Sequence, residues 1–272
     1  MNALPEAADT EMPVLAEYPS DGVALITLNR PAKRNAMNRA ARAALIDALD
    51  DCRGHAKVIV LTGSGPAFCS GVDLKEVAAA AELSADTAAE RRTAWRAVQE
   101  EIKKHPAVVI AAVNGTALGG GVTLLNAADL ALAAEDAQLG MPEVGFGAYP
   151  GLAGPSTQLR TSMKRAAWLV LTAERIDGRT AEAWGLVNRA VPGDRLLDEA
   201  LALAERLAGF DAVALEWCKK ALWEVPARLT DWAAALEYGE NVNSQIRSRT
   251  AASAERLQAF ARGERTVGQG TS

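Results

Sequence analysis

Three short apolar runs constrain the fold of this chain more than any other feature of its sequence. They are Lys57–Thr62, Ala107–Val113 and Asp129–Ala134. A helical stretch that Asn38 would cap precedes the first run, and another from Ser84 to Lys104 separates the first run from the second. Strands that alternate with helices are typical of parallel βαβ units, so the pattern predicts an α/β core.

The two flanks of this core have different patterns. Before it, β-rich runs on both sides of Ser20-Asp21-Gly22 predict an antiparallel hairpin. From about residue 162 the chain becomes alanine-rich and helical, with one short strand-like segment at Val187–Val191. We therefore expect four segments: a disordered N-terminus at 1–12, an α/β core at 13–195, a helical C-terminal region at 196–265 and a disordered tail at 266–272.

Charge and cysteine content argue against several classes of function. The 272 residues carry 29 Lys and Arg against 34 Asp and Glu, and this net charge of −5 gives no general attraction to nucleic acid. The longest apolar runs are too short to span a bilayer, and the N-terminus lacks the features of a signal peptide. Three separate cysteines and two histidines form no metal-binding pattern. We expect a soluble, cytoplasmic protein with no metal and with neither nucleic acid nor membrane as a partner.

Two glycine-rich loops follow predicted strands and could bind a negatively charged atom. The first is Gly63–Lys75, in which Asp73 could cap a short helix. The second is Ala117–Thr123, in which three consecutive glycines precede a helix whose first N–H groups are unpaired. One N–H from each loop would form an oxyanion hole, worth about 3 kcal/mol per donor. Helix capping in the first loop and close helix packing in the second are the structural alternatives.

A third loop, Leu139–Gly151, contains an isolated carboxyl group. Glu143 lies in an apolar and glycine-rich stretch, and no Asp or Glu occurs from Val144 through Ala173. A carboxyl in such surroundings can have a raised pKa suited to proton transfer, although a solvated or helix-capping glutamate is the commoner case.

Other catalytic arrangements have less support. A Ser-His-Asp triad would need His55 or His105, and the polar sequence around each predicts a surface position. Cys69 has no evident histidine base, so we expect it to be a buried, unreactive thiol.

Five motifs follow one another along the chain in a characteristic order and at a characteristic spacing. Together they extend over about residues 14–265. They are Leu28-Asn-Arg-Pro-Ala-Lys-Arg-Asn-Ala-Met37, Ala67-Phe-Cys-Ser-Gly-Val-Asp-Leu-Lys75, Val113-Asn-Gly-Thr-Ala-Leu-Gly-Gly-Gly121, Gly140-Met-Pro-Glu143, and Ala183-Trp-Gly-Leu-Val187 before Val191-Pro192. Together they resemble the enoyl-CoA hydratase/isomerase family, also called the crotonase superfamily. The resemblance implies a crotonase-like spiral of ββα units with a helical C-terminal trimerisation region. It also implies an acyl-CoA thioester substrate and a homotrimer or homohexamer.

The resemblance assigns roles to individual residues. It implies that the backbone N–H groups of Val72 and Gly120 form the oxyanion hole, and that Glu143 is the general acid/base. Residues of the same motifs expected to bind coenzyme A are Lys33, Arg34, Ala67, Ser70, Asp73 and Lys75. Exposed lysine and arginine in loops are also common without any ligand. No cofactor is expected beyond the coenzyme A moiety of the substrate.

The chain departs from the family hydratases at one position. Those enzymes carry two glutamates that hold and activate water, and here Thr123 stands at the first of them. Threonine can hydrogen-bond a water or substrate oxygen, but it cannot exchange a proton near neutral pH. One glutamate with Ser or Thr at the other position resembles the hydroxycinnamoyl-CoA hydratase-lyase branch.

These features predict an enzyme that adds water to, or removes it from, an α,β-unsaturated acyl-CoA through a thioester enolate, with one catalytic glutamate. An isomerase, a hydratase-lyase that performs a retro-aldol cleavage, and a non-catalytic acyl-CoA-binding protein are the alternatives.

Overall fold

A computed structural model of the protein describes residues 12–76, 85–228, 231–252, 255 and 262, with the side chains of 85–93 and 228 left undescribed. We predict disorder at 1–12 and 266–272, and of these segments only Met12 lies within the described residues. Within them the elements follow one another along the chain in this order: β1 Val14–Ser20, β2 Val23–Leu28, α1 Arg39–Asp51, β3 Val58–Gly63, β4 Ala67–Cys69, α2 Ala85–Lys104, β5 Val108–Val113, β6 Thr116–Leu118, α3 Gly120–Ala127, β7 Leu130–Ala134, β8 Leu139–Gly140, α4 Ala153–Gln158, α5 Met163–Thr172, α6 Gly178–Trp184, β9 Arg189–Val191, α7 Leu196–Ala208, α8 Ala212–Arg228 and α9 Trp232–Arg249.

The larger sheet has six strands in the order β1-β2-β3-β5-β7-β9. Its first pair is the predicted antiparallel hairpin, with Gly22 at φ +71° in the turn, and every later pair is parallel. All residues of β3 and β5 are buried, as expected for parallel strands covered on both faces. The α/β prediction for the core is therefore confirmed.

A second sheet contains three short parallel strands in the order β4-β6-β8. We expected loops over these segments, and that expectation was wrong. Strands of two or three residues are too short to show an alternating pattern, and glycines adjoin each of them. Because the three strands are parallel, their carboxyl ends meet at one edge of this small sheet.

The helical C-terminal region packs on the α/β core. Helix α7 contacts β3 and β5, and the Lys57 Nζ atom donates a hydrogen bond to the Ala208 carbonyl over 3.0 Å. In α8 the buried Lys219 ammonium lies 2.8 Å from Asp129 Oδ2 and donates to the Ile102 and Ala107 carbonyls. These contacts fix the first two C-terminal helices against the sheet.

No helix in the described ranges is long and apolar enough to cross a membrane. Over the same ranges no three His, Cys, Asp or Glu side chains form a cluster that could hold a metal ion.

Candidate active site

The edge of the small sheet brings together the three loops that the sequence singles out. Cys69 of β4 pairs with Ala117 of β6, and Leu118 of β6 pairs with Gly140 of β8. The Gly119 N–H continues this pairing by donating to the Gly140 carbonyl over 3.0 Å. The segments after β4, β6 and β8 therefore emerge side by side.

Two backbone N–H groups at this edge are available to a ligand. Met37 forms a parallel bridge with Val72 by using the Gly71 carbonyl and the Asp73 N–H, so the N–H of Val72 itself points away from Met37. Gly120 is the first residue of α3, where the N–H has no partner within the helix. Within the described chain neither N–H donates a hydrogen bond. A side chain on Gly71 would begin 3.1 Å from the Gly120 nitrogen, so the two loops are in contact.

Glu143 lies beside this pair of loops, in a short 3-10 helix at Pro142–Phe146. Its Oε1 atom lies 2.5 Å from the position that a Cβ atom on Gly119 would take. Its Oε2 atom is buried and has no hydrogen-bond partner among the described residues. Burial raises the pKa of the Glu143 carboxyl above its ordinary value. A carboxyl with a raised pKa holds a proton more readily than an ordinary carboxyl does.

Thr123 lies one turn into α3 and is fully buried. Its hydroxyl donates a hydrogen bond to the Gly119 carbonyl over 3.2 Å. The hydroxyl hydrogen is thus used within the helix, and the oxygen lone pairs are left to accept a hydrogen bond.

Three residues predicted to bind coenzyme A are brought together on the outer side of the Val72 loop. The Ser70 N–H donates to the Arg34 carbonyl over 2.9 Å, and the Ser70 hydroxyl lies 3.4 Å from the Lys33 carbonyl. The Arg34 side chain is exposed, and Lys33 is half-buried. Lys75, also exposed, follows three residues after Val72. The side chains of Lys33, Arg34 and Lys75 therefore carry positive charge near the Val72 loop.

Ala67 and Asp73, which we also expected to bind coenzyme A, make internal contacts. The Ala67 carbonyl accepts a hydrogen bond from Asn35 Nδ2 over 2.7 Å. Asp73 pairs with the buried Arg30 guanidinium over 3.1 Å and accepts the Lys75 N–H. Both sets of contacts hold the Val72 loop in place.

Two residues that shape the site, Asn35 and Trp95, were not predicted from the sequence. Asn35 has φ +55°, and its side chain donates hydrogen bonds that connect the loop before α1 to β4. The segment Pro-Ala-Lys-Arg-Asn ends in a residue type that favours turns, and this signal could have revealed the role of Asn35. Trp95 of α2 is 2% exposed and contacts Gly120. Its helical spacing to Val98 and Ile102 within a charged segment would have predicted its burial.

The prediction that His105 lies at the surface was wrong. His105 is 1% exposed; its Nε2 donates to the Leu49 carbonyl and its Nδ1 accepts the Ala107 N–H. Two backbone partners make the imidazole a structural group, a role that its position before Pro106 does not reveal. His55 is exposed, as expected. Cys69 is buried, and burial raises the pKa of its thiol to about 12, so it carries no thiolate near neutral pH.

The fold and this site define a class of α/β proteins in which the edge of a small parallel sheet brings two backbone N–H groups close to a half-buried carboxyl. The family described as enoyl-CoA hydratase/isomerase matches residues 19–262, so the chain belongs to that family and is an acyl-CoA enzyme of the crotonase superfamily. It is 38% identical over 203 residues to a 2,3-dehydroadipyl-CoA hydratase of Escherichia coli, which covers 74% of this chain and 78% of the relative. It is 33% identical to a hydroxycinnamoyl-CoA hydratase-lyase of Pseudomonas fluorescens, over 75% of this chain and 78% of that one. A crystal structure of an enoyl-CoA hydratase of Mycobacterium smegmatis aligns with a TM-score of 0.88 at 30% identity, over 94% of this chain and 98% of that structure, which confirms the crotonase fold.

Proposed function

We propose that this protein adds water to an α,β-unsaturated acyl-CoA thioester, or removes it in the reverse direction. In the forward reaction the water oxygen bonds to C3, the electron pair of the double bond moves into a thioester enolate, and C2 then takes up a proton. The observation that carries the proposal is the contact of the half-buried Glu143 carboxyl with Gly119, directly before the Gly120 N–H, which donates to no described residue.

The Val72 and Gly120 N–H groups are the proposed oxyanion hole. Negative charge develops on the thioester oxygen as the enolate forms, and each donor contributes about 3 kcal/mol to its stabilisation. Because Gly120 begins α3, the positive end of the helix dipole acts in the same direction.

Glu143 is the proposed general acid/base, and Thr123 the residue that positions water. As a carboxylate, Glu143 accepts a proton from the attacking water; in its protonated form it can deliver a proton to C2. General acid/base catalysis of this kind accounts for about 100- to 10,000-fold in rate. The Thr123 hydroxyl already donates to the Gly119 carbonyl, so its role is to accept a hydrogen bond from the water or the substrate hydroxyl.

Isomerisation of the double bond is the second candidate. The same Thr123 hydrogen bond favours it, because a hydroxyl engaged in the helix leaves Glu143 to move the proton. A single carboxyl is sufficient to carry a proton from one carbon of the acyl chain to another.

The test is to incubate the purified protein with crotonyl-CoA, a longer aliphatic enoyl-CoA, cinnamoyl-CoA and feruloyl-CoA. Loss of enone absorbance, with a product heavier by one water, supports hydration. Deuterium incorporation from D2O without net water addition indicates an isomerase, and an aldehyde product indicates a hydratase-lyase. Tight binding of every ester without turnover would contradict the proposal and indicate an acyl-CoA-binding protein.

We further propose that Lys33, Arg34, Ser70 and Lys75 hold the coenzyme A moiety, and that the protein works in the cytoplasm as a homotrimer or homohexamer. Three large apolar side chains that α8 and α9 leave exposed support association through the C-terminal helices: Leu222, Trp232 and Leu236. Light scattering should give three or six times the chain mass of 28.6 kDa. A monomer would contradict this proposal.

A further inference from the structure

The indole ring of Trp95 is in direct contact with the glycine that supplies one proposed oxyanion donor. A Cβ atom on Gly120 would lie 2.4 Å from Trp95 Cζ2, which is closer than two carbon atoms can approach. The ring edge therefore occupies the space next to the Gly120 Cα atom. The same Cβ atom would lie 3.2 Å from the Gly71 Cα atom. The indole and the loop that carries Val72 thus together fill the space on the side of Gly120 where a Cβ atom would lie.

Both sides of this contact are fixed by other parts of the fold. Trp95 is 2% exposed and shares the buried face of α2 with Val98 and Ile102, so its ring has little freedom. On the other side, Gly71 is tied to the chain before α1, because its carbonyl accepts the Met37 N–H over 2.8 Å.

We propose that Trp95 is a positioning residue for the oxyanion hole, keeping the Gly120 N–H in a constant relation to the Val72 N–H. This inference rests on the proposed function. Glycine has the most backbone freedom of any residue, and Gly120 lies in a run of three. An oxyanion hole is effective only when its donors are held within about 0.5 Å of the productive geometry. The rigid indole ring, with its edge against Gly120, supplies the restraint that the glycine run lacks.

A buried tryptophan also contributes to core packing, so the test must separate positioning from stability. Trp95→Leu keeps an apolar side chain but removes the ring edge, and Trp95→Phe restores a planar ring. Ile102→Ala is the matched control, because Ile102 lies on the same face of α2, is fully buried, and is two turns away from Trp95. Thermal unfolding of all three variants measures their loss of stability.

The readouts are kcat and KM with crotonyl-CoA, and the absorption maximum of bound 4-dimethylaminocinnamoyl-CoA. The absorption band of this probe moves to longer wavelength when its thioester carbonyl is polarised. We expect Trp95→Leu to lower kcat about 10- to 100-fold with KM little changed, and to reduce the spectral shift. Trp95→Phe should recover most of the wild-type kcat and most of the spectral shift of the probe. Ile102→Ala should be less stable than wild type but keep the wild-type kcat and spectral shift.

Wild-type kcat and spectral shift in Trp95→Leu would overturn the inference and leave Trp95 as a packing residue. Equal losses in Trp95→Leu and Ile102→Ala would overturn it as well, because positioning would then not differ from stability. If the wild-type protein turns over none of the four esters and does not shift the probe, the proposed function fails and the role of Trp95 fails with it. If wild type is active and shifts the probe, and Trp95→Leu has the same kcat and spectral shift, only the inference about Trp95 is overturned and the proposed function stands.

Discussion

The Oε1 atom of Glu143 lies 2.5 Å from the point at which a side chain on Gly119 would begin. Gly119 also has φ +48°, a conformation that disfavours any residue with a Cβ atom. The absence of a side chain at this one position therefore serves both the turn into α3 and the placement of the carboxyl. We expect Gly119→Ala to displace the Glu143 side chain and to lower kcat with crotonyl-CoA at least about 100-fold.

The matched control for this variant is Gly185→Ala. Gly185 has φ +77°, and a Cβ atom there would meet no atom of the described residues within 4 Å. Its substitution adds the backbone strain alone, about 1–2 kcal/mol, and should leave kcat unchanged. Similar kcat values in the two variants would show that the position of the Glu143 carboxyl does not depend on the absence of a side chain at Gly119.

Replacing the carboxyl itself tests whether Glu143 transfers protons. Glu143→Gln keeps the shape of the side chain, and we expect it to lower kcat at least about 100-fold while calorimetry shows unchanged binding of a CoA ester. Burial raises the pKa of Glu143, so the acid limb of the wild-type kcat/KM profile should lie above the usual carboxyl range. The exposed Glu174 provides the control substitution Glu174→Gln. Retained turnover in Glu143→Gln would exclude the assigned role.

Thr123 can be tested by removing only its hydroxyl. Thr123→Val preserves the buried volume, and Thr123→Ser preserves the hydroxyl. If the hydroxyl oxygen positions water, we expect Thr123→Val to lower the hydration rate about 10-fold or more, and Thr123→Ser to remain close to wild type. Exchange of substrate hydrogen with D2O should persist in both variants, because it depends on Glu143. Equal hydration rates in the two variants would leave Thr123 with a packing role.

The salt bridge between Arg30 and Asp73 is expected to contribute to the free energy of unfolding. The Arg30 side chain is 4% exposed, so Asp73→Asn would remove one carboxylate from beside a buried guanidinium, a loss of about 3 kcal/mol. We expect this loss in urea unfolding, with unchanged affinity for a CoA ester. Glu199→Gln, which breaks exposed pairs with Arg189 and Arg195, should cost about 1 kcal/mol or less. A weaker affinity in Asp73→Asn would instead support the coenzyme A contact that the sequence suggests.

The larger sheet and most helices could be predicted because their signals are local. Asn38 caps α1 by accepting the Ala41 N–H, and Leu45 and Leu49 recur on the buried face of that helix at helical spacing. The buried runs of β3 and β5 are long enough to be identified as strands. The small sheet could not be predicted in this way, since its strands form only when residues about 50 positions apart pair, as Ala67 does with Thr116.

In the candidate site, too, the features with local sequence signals could be predicted and the contacts between distant residues could not. Val72, Gly120 and Glu143 could be proposed from their loops and from the family resemblance, because glycines and an isolated acid are visible in the sequence. What surrounds them could not be predicted. The contact of Trp95 with Gly120 joins two helices, and the engagement of the Thr123 hydroxyl with the Gly119 carbonyl depends on a rotamer.

The buried imidazole of His105 should make the protein less stable in acid. Burial lowers the pKa of His105 to about 4, against 6.5 for the free side chain. Between these values the unfolded chain binds the proton and the folded chain does not, so the free energy of unfolding falls as the pH decreases from 6.5 to 4. A shift of this size corresponds to about 3 kcal/mol.

Urea unfolding at several pH values from 7.5 to 4 measures this contribution of His105. Carboxyl groups titrate over part of the same range, so the informative quantity is the difference in pH dependence between wild type and His105→Gln. We expect His105→Gln to be less stable at pH 7.5, because the Leu49 and Ala107 backbone groups lose their partner, and to show a weaker pH dependence. His55→Gln, at an exposed position, should match wild type throughout. Identical pH dependence in all three proteins would mean that His105 keeps an ordinary pKa in the folded state.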